Sequence, residues 1–453
     1  MALKEKNSLV KMSLLSLAIP ILVEQVLRSL MGTVNTSVLG HYSTAAVSSV
    51  GVANQIMNVV NVLFNMISAG TMVILNQMLG ANRKEQAGHV AMNAISSGIM
   101  LGGVLSIIFT ICATPIMRLI GLDDTLLSDA ATYLRIVGGC AVFNAVSSMM
   151  SGIFRCYGNA KLPMLVVMVN NILNLAGTCL VIYRPFEVPL YGVGGVATVR
   201  VSSEIFGLCL MTFLLVRAKY GFKLKNILRL RIEYLKKIIG IGVMSGMEGL
   251  SYTLGQVVTT AFITGLGALA ISTKTYVQNI DFYAYVIGQS IGAATQIIAG
   301  HMIGAGEKDE ALRYVNRNWR FVAISNVFFG TMMYLFCPYI MRIFTTDPEI
   351  IAQSRILFLI DIAIHAARSF NHTHNAGLRS AGYVFWPMII AVTSIWLCNV
   401  GLGYVFSVGL GFGIAGLWLG QMTDEWVRGL ITMSLWQSKK WQKKIAISNV
   451  AEE

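Results

Sequence analysis

Long apolar runs recur along almost the whole chain, and this feature limits what it can fold into more than any other. Of its 453 residues, 55% are hydrophobic and only 12% are charged, about half the ~25% charged share of a soluble globular protein. This composition argues against a soluble enzyme and excludes a disordered chain or a disulfide scaffold. At about 20 apolar residues per span, the pattern predicts an all-α polytopic membrane protein. Its twelve expected transmembrane helices lie near 12–36, 46–79, 88–113, 128–153, 163–183, 192–217, 239–263, 270–303, 315–341, 350–378, 387–408 and 413–437.

The positive charge of the chain is unevenly distributed between its loops. The net charge is +13. Most lysines and arginines lie in the two termini and in alternate loops, whereas the intervening loops contain only Arg118, Arg184 and Arg342. This asymmetry follows the positive-inside rule and predicts that both termini are cytoplasmic. We therefore expect a multi-pass protein of the plasma membrane, in contact with lipid and not with nucleic acid.

The longest polar interruption is the segment 217–237, which contains eight basic residues alternating with leucine and isoleucine. We expect this segment to lie on the anionic cytoplasmic leaflet and to link two halves of the protein. A regulatory or partner-binding role is the alternative. Residues 12–36 lack a small-x-small cleavage site, so we expect them to remain as a first helix.

An internal duplication runs through the chain at an offset of about 224 residues. LGANRKEQA at 79–87 matches IGAGEKDEA at 303–311, and FRCYGNAKLPM at 154–164 matches LRSAGYVFWPM at 378–388. Since each half contains six helices, both halves enter the membrane in the same orientation, as parallel repeats. Repeats of this kind are typical of transporters, although a duplicated bundle without transport is the alternative. The predicted regions are an N-terminal lobe at 1–216, a basic linker at 217–237, a C-terminal lobe at 238–438 and a tail at 439–453.

Polar residues inside apolar spans are costly and mark candidate functional positions. In predicted helix 2, four asparagines follow one another at spacings of 4, 3 and 4, which places their amides on one face. They either line a pore or form hydrogen bonds between helices. For Arg200 with Glu204, and for the charged group at 424–428, we favour structural ion pairs. The candidates outside predicted helix 10 are Glu24, Arg28, Asn54, Asn58, Asn61, Asn65, Glu248, Lys274, Gln278 and Asp281.

Predicted helix 10 contains the longest polar stripe. Asp361, His365, Arg368, His372 and Asn375 follow one another at spacings of 4, 3, 4 and 3, so we expect them to face the cavity between helices 7, 8 and 10. A histidine one turn from an aspartate can share a proton with it, as a proton relay requires. The alternative is a polar network that braces the lobe. We expect no metal site, because residues two apart, such as His372 and His374, point to opposite sides of a helix.

In these features the chain resembles bacterial multidrug and toxic compound extrusion (MATE) transporters, members of a wider superfamily of exporters and flippases. The resemblance covers nearly the whole chain. It rests on AIPILVEQ in helix 1, the two duplicated loop motifs, IGVMSGMEG in helix 7 and GIAGLWLGQMTDEWVRG in helix 12. It implies two six-helix lobes in a V, and export of organic, usually cationic, compounds driven by protons or sodium.

The resemblance also implies a cation-binding cluster in the first lobe, and here the sequence departs from the family pattern. The family's acid in helix 1 is replaced by Asn35, in VNTSVLG. In helix 5, Asn174 matches the pattern, but the acid four residues later is Thr178. We therefore expect the second lobe to carry more of the cation chemistry. Because Arg28, Lys274 and Arg368 are cationic, zwitterionic or anionic substrates remain open.

The leading functional hypothesis is an antiporter that exports small organic compounds by alternating access, coupled to protons or sodium. We expect it to act as a monomer, with the transported ion as coupling cation and no resident cofactor. The first alternative is a flippase of lipid-linked sugars, which would need a more basic central cavity and usually more spans. The second is an integral-membrane enzyme, for which the sequence contains no catalytic constellation and no nucleotide-binding motif in a strand–helix context.

Overall fold

The structure, a computed structural model, describes residues 12–183, 191–218, 220, 231–443 and 445–446. Within this part the chain forms twelve long helices and no strand. A short helix, Cys337–Met341, follows the ninth of them, and α4 is a bent pair of helices. The twelve are α1 Leu14–Gly40, α2 Thr44–Gly80, α3 Lys84–Leu119, α4 Asp124–Gly139 with Ala141–Cys156, α5 Lys161–Tyr183, α6 Gly192–Arg217, α7 Ile232–Thr264, α8 Ala268–Gly304, α9 Lys308–Leu335, α10 Pro348–Ser380, α11 Phe385–Gly409 and α12 Gly413–Gln437.

Each predicted span therefore corresponds to one helix or bent pair. The bounds coincide for α6 and α12 and differ by up to seven residues at other helix ends. By length and apolar composition alone, seven of these helices qualify as membrane spans, and α4 is an eighth if its two parts are one span. Large apolar side chains lie exposed on the outer faces, such as Ile107 at 62% and Ile111 at 70% of their surface. Such a surface is stable in contact with lipid, where a helix satisfies its own backbone hydrogen bonds.

The duplication is visible in the backbone where helices end. After α2 the chain turns at Asn82 with φ 58°, and after α8 it turns at the equivalent Gly306 with φ 85°. The ends of α4 and α10 turn at Gly158 with φ 80° and Gly382 with φ 78°. A positive φ closes a helix and favours glycine or asparagine. The repeated sequence therefore specifies repeated helix ends.

The described chain divides into two compact units. The first unit consists of Val23–Leu75 and Arg83–Val243, and the second consists of Met1–Leu22, Asn76–Asn82 and Met244–Glu453. Of the predicted basic linker, residues 219 and 221–230 lie outside the described part of the chain.

Three of the long helices depart from regular α geometry. The two parts of α4 meet at 47° next to Cys140. Helix α10 contains a π-helical turn at Asn371–Asn375, and α11 contains π-helical turns at Ile395–Leu402 and Val405–Gly409. π-Helical turns occur often at functional sites, and the one in α10 interrupts the predicted polar stripe.

Candidate functional site

Glu24 of α1 lies at the centre of an ion cluster in the first unit. The residue is 2% exposed. Its Oε1 accepts a hydrogen bond from Arg28 Nη2 at 3.1 Å, and its Oε2 accepts one from Arg155 Nη2 at 2.6 Å. Glu24 and Arg28 are four residues apart, which places them on one face of α1. Arg155 lies at the end of α4, in the duplicated motif FRCYGNAKLPM.

Glu248 of α7 has the equivalent surroundings in the second unit. Arg379, which aligns with Arg155, donates to Glu248 Oε2. Arg428 Nη1 lies 3.0 Å from Oε1, and Asn375 Nδ2 donates to Oε2 at 3.1 Å. The two glutamates therefore occupy corresponding positions, each paired with an arginine at the end of the fourth helix of its repeat.

A second cluster of charges joins α8, α10 and α12. Arg368 Nη1 lies 2.9 Å from Asp281 Oδ2, and its Nε lies 3.4 Å from Glu425 Oε1. His365 Nε2 lies 2.8 Å from Asp281 Oδ1. Glu425 also accepts a hydrogen bond from Asn371 Nδ2 at 2.6 Å. Asp281 therefore has two neighbours on α10 that can neutralise it.

Arg428 of α12 connects the Asp281 cluster to Glu248. Its Nη2 lies 3.0 Å from Glu425 Oε2 and 3.4 Å from Asp424 Oδ2, while its Nη1 reaches Glu248. The ion pairs expected within 424–428 are present, but they belong to a larger network. This network joins side chains of α7, α8, α10 and α12, and all of these residues belong to the second unit. Charged groups buried in this way are stable only when paired and hydrogen-bonded.

The structure contradicts the prediction that Asp361 and His365 share a proton. His365 faces Asp281 instead. Asp361 Oδ1 accepts a hydrogen bond from Trp418 Nε1 at 3.0 Å. Its Oδ2 is buried and has no hydrogen-bond partner among the residues that the structure describes. Spacing along one helix places side chains on one side of it, but neighbouring helices decide which partner each one meets.

The prediction of a single stripe on α10 was also wrong beyond Arg368. His372 packs edge-on against Tyr285 of α8, with ring centroids 5.1 Å apart. Asn371 binds Glu425 on α12, and Asn375 binds Glu248 on α7. The π-helical turn at Asn371–Asn375 changes the angle between successive side chains. The polar groups of α10 therefore contact three different helices.

The asparagines of α2 mostly form hydrogen bonds within the first unit. Asn54 Oδ1 accepts from Arg200 Nη1 at 2.8 Å, and Asn61 Oδ1 accepts from Asn144 Nδ2 at 3.3 Å. Asn58 is exposed. Arg200 also lies 3.4 Å from Glu204, the ion pair expected from their spacing. For Asn54 and Asn61, the structure favours hydrogen bonding between helices.

The two positions of the first unit where the resemblance implies acids contain the neutral residues Asn35 and Thr178. Asn35 is half-buried, and its Oδ1 has no hydrogen-bond partner. Thr178 is fully buried, with its Oγ1 3.5 Å from Asn174 Oδ1. Asn35, Asn174 and Thr178 are all uncharged, so none of them can form an ion pair with a carboxylate.

Lys274 and Gln278 of α8 face α7. Lys274 Nζ donates to Thr260 Oγ1 at 2.6 Å, and Gln278 Nε2 donates to Gln256 Oε1 at 3.3 Å. Lys274 is 8% exposed. Neither residue contacts the ion network through a hydrogen bond given by the structure. The candidates on α8 therefore separate into Asp281, inside the network, and Lys274 with Gln278, beside it.

Several residues were not identified from the sequence as members of the network. Glu425 and Arg428 were assigned to a local structural ion pair, and Trp418 was not singled out. Arg379 could have been found, because Glu24 with Arg155 and Glu248 with Arg379 keep one offset through the duplication. In the described part of the chain, no group of three or more His, Cys, Asp or Glu residues is arranged to hold a metal ion.

Two repeats of six helices with paired charges at membrane depth define a duplicated membrane transporter. The MatE family model matches residues 20–180 and again residues 245–405, so it covers both repeats. The chain belongs to this family, that of the MATE multidrug efflux transporters. It is therefore a multi-pass membrane transporter and not an enzyme.

Individual relatives agree with this assignment. The chain is 36% identical over 433 residues to the uncharacterised transporter YisQ of Bacillus subtilis (strain 168), covering 95% of each. It is 26% identical over 445 residues to the probable multidrug resistance protein NorM of Thermotoga maritima, covering 98% of this chain and 96% of that protein. An outward-facing multidrug resistance MATE transporter of the MOP superfamily has the same fold. Its TM-score is 0.85 at 18% identity, covering 96% of this chain and 97% of that one.

Proposed function

We propose that this transporter is an antiporter coupled to protons or sodium, which exports small organic compounds by alternating access. Its second unit supplies the residues that take up the coupling cation. The protein acts in the plasma membrane as a monomer, with both termini in the cytoplasm. It needs no resident cofactor, because the coupling ion is itself transported.

Asp361 is the observation that carries this proposal. It is 2% exposed, and the structure gives its carboxylate one hydrogen-bond donor, the neutral indole of Trp418. The basic side chains nearest along α10, His365 and Arg368, both contact Asp281 and not Asp361. A buried carboxylate without a cationic partner is costly in its ionised form. Uptake of a proton or a small cation removes that cost, which suits a coupling site.

Among its described residues the first unit has no comparable acid, which supports the assignment of the coupling site to the second unit. Asn35 and Thr178 stand where the family has acids, and neither can exchange a proton near neutral pH. Glu24 lies in ion-pair contact with Arg28 and Arg155. The acid that is buried and free of a cationic partner therefore belongs to the second unit.

Competition between the substrate and the cation for binding would couple their transport. If substrate and cation each bind best when the other is absent, the cation gradient drives substrate release, and the coupling is reciprocal. Asp361 lies one turn before His365, which contacts Asp281. Uptake of a cation at Asp361 therefore changes the charge next to the network that joins α7, α8, α10 and α12. This gives a physical route from cation binding to a change in helix packing.

The test is dye transport by Asp361→Asn in proteoliposomes under an imposed proton or sodium gradient. Asparagine keeps an oxygen that can accept from Trp418, so we expect normal expression and folding. Gradient-driven export should fall at least about tenfold, because coupling energies of ~1–3 kcal/mol correspond to about 5- to 150-fold effects. Comparing the two gradients identifies the ion.

The matched control is Asp309→Asn, which removes an exposed carboxylate that pairs with Lys439 at the α8–α9 turn. This variant should export at the wild-type rate. Wild-type export and wild-type ion dependence in Asp361→Asn would show that the coupling site lies elsewhere. The wild-type protein is also tested with a panel of cationic and anionic dyes. If it exports none of them under either gradient, the proposed antiporter function is wrong.

A further inference from the structure

Lys274 differs from the other buried cations of the second unit. In the part of the chain that the structure describes, the buried cationic side chains of this unit are Lys274, Arg368 and Arg428. Arg368 and Arg428 each contact at least two carboxylates. Lys274 forms no ion pair among the described residues. Its partner is the hydroxyl of Thr260.

The hydroxyl of Thr260 satisfies only part of the ammonium group. Thr260 donates its own proton to the carbonyl oxygen of Gln256 at 2.6 Å, so it can only accept from Lys274 Nζ, at 2.6 Å. An ammonium group has more than one N–H to donate, and a buried charge without a counter-ion is costly at membrane depth. Thr260 therefore orients the ammonium group of Lys274, but no anion among the described residues pairs with it.

A second donor is the amide group of Gln256 on α7, one helical turn before Thr260. The amide nitrogen of Gln278 donates to Gln256 Oε1 at 3.3 Å, which uses the oxygen of Gln256 and leaves its amide nitrogen as a donor. Gln256 and Gln278 are half-buried and Thr260 is exposed, so the group is accessible from outside the unit. The ammonium of Lys274 and the amide nitrogen of Gln256 therefore supply two donors, one for each oxygen of a carboxylate.

The nearest acid on the same face of α8 does not neutralise Lys274. Asp281 lies seven residues further along the helix and is held by Arg368 at 2.9 Å and His365 at 2.8 Å. Its charge is therefore balanced within the network. An anion at Lys274 has to come from outside the unit.

The duplication indicates that the fold does not require this lysine. The position equivalent to Lys274 in the first repeat is Val50, and the position equivalent to Gln256 is Gly32. Thr260 is preserved as Thr36, whose hydroxyl donates to the carbonyl oxygen of Gly32 at 2.9 Å. The same helix pair thus forms without a cation in the first repeat, so the charge in the second repeat has another use.

We propose that Lys274, with Thr260 and Gln256, binds the carboxylate of an exported compound. This inference rests on the proposed export function and narrows its substrates to organic acids and zwitterions that carry a carboxylate. Lys274 supplies the charge, Gln256 supplies a second hydrogen bond, and Thr260 holds the ammonium in place.

The experiment compares two dyes that share one fluorophore. Rhodamine 110 has a free carboxylate, which is a methyl ester in rhodamine 123. Binding to the purified protein is measured by fluorescence anisotropy without an ion gradient. The wild type should bind rhodamine 110 at least about tenfold more tightly, since hydrogen bonds to charged groups contribute ~1.5–3 kcal/mol. Lys274→Met should lose this preference and still bind the ester, whereas Lys274→Arg should retain it.

The matched control is Arg355→Met, which removes an exposed arginine that lies over Tyr334 on the same unit. It should keep the wild-type preference for the acid. The proposal is wrong if the wild type binds both dyes with equal affinity, and this result does not depend on the folding of any variant. It is also wrong if Lys274→Met keeps the preference for rhodamine 110. A lack of gradient-driven export in the wild type would count against the antiporter function alone, because binding is measured without a gradient.

Discussion

At the scale of single residues, the second unit sorts its ionisable groups into paired and unpaired ones. Glu248, Asp281 and Glu425 each contact arginines. Asp361 and Lys274 do not contact an oppositely charged side chain among the described residues. Paired charges stabilise one arrangement of helices. A buried charge without a partner is stabilised when it binds an ion or a substrate group of opposite charge. This distinction is the basis for the proposals that Asp361 takes up the coupling cation and that Lys274 binds the substrate carboxylate.

Glu248→Gln should impair transport more than folding. The substitution removes a charge from between Arg379 and Arg428, but Arg428 keeps Asp424 and Glu425 as partners. We expect turnover in proteoliposomes to fall at least about tenfold, because a hydrogen bond to a charged group contributes ~1.5–3 kcal/mol. The thermal midpoint should change little. Glu349→Gln, the same change at an exposed position, is the control, and wild-type turnover in Glu248→Gln would remove Glu248 from the mechanism.

At the scale of elements, the π-helical turn of α10 explains how one helix serves three neighbours. Close contact with α8 depends on glycine at 288 and 292. A Cβ at 292 would collide with the carbonyl oxygen of His372, and one at 288 would meet the His372 ring. The turn is therefore fixed by its contact with α8 as well as by its own residues. A helix held in this way can change its contacts with α7 and α12 as a unit.

Gly292→Ala should lower the thermal midpoint of the purified protein. The added methyl group has no room beside His372, and overpacking of this kind costs ~1–3 kcal/mol. The control is Gly103→Ala in α3, where a Cβ would meet nothing within 4 Å. That variant should be neutral or slightly stabilised, because alanine is the better helix former. Equal midpoints for the two variants would show that α8 does not constrain the turn.

At the scale of the whole molecule, the duplication specifies two homologous sets of six helices. The preserved pairs Glu24 with Arg155 and Glu248 with Arg379 show that it extends to ionic contacts. The charged and amide side chains between α7 and α8 in the second repeat show where the copies diverged. An even number of helices in each copy gives parallel repeats. Together with the basic loops, this predicts the orientation of both termini.

Both termini should be cytoplasmic. In a variant without the seven native cysteines, Ser8→Cys and Ser448→Cys should react with a membrane-impermeant maleimide only after the cells are opened. Thr345→Cys, between α9 and α10, is the control and should react in intact cells. Termini labelled on opposite sides of the membrane would contradict the even number of spans and the positive-inside assignment.

The sequence was sufficient for the membrane class, the twelve spans, the duplication and the ion pairs between residues four apart. Apolar length and helical spacing are local properties, and they survive any arrangement of neighbouring helices. Glu24 with Arg28, and Arg200 with Glu204, belong to this group. The predicted bounds of α6 and α12 coincide with the observed ones. Other ends shift by several residues because a helix continues into charged turns beyond its apolar stretch, as at the start of α7.

The tertiary structure decided which polar group meets which across helices. His365 contacts Asp281 on another helix and not Asp361 on its own, and Asp361 meets Trp418. Such pairings depend on the positions of helices far apart in sequence and on the π-helical turn in α10, and neither follows from residue spacing. The same holds for Lys274. Its charge is visible in the sequence, but only the packing of α7 against α8 shows that its partner is a hydroxyl and that no carboxylate of the described chain pairs with it.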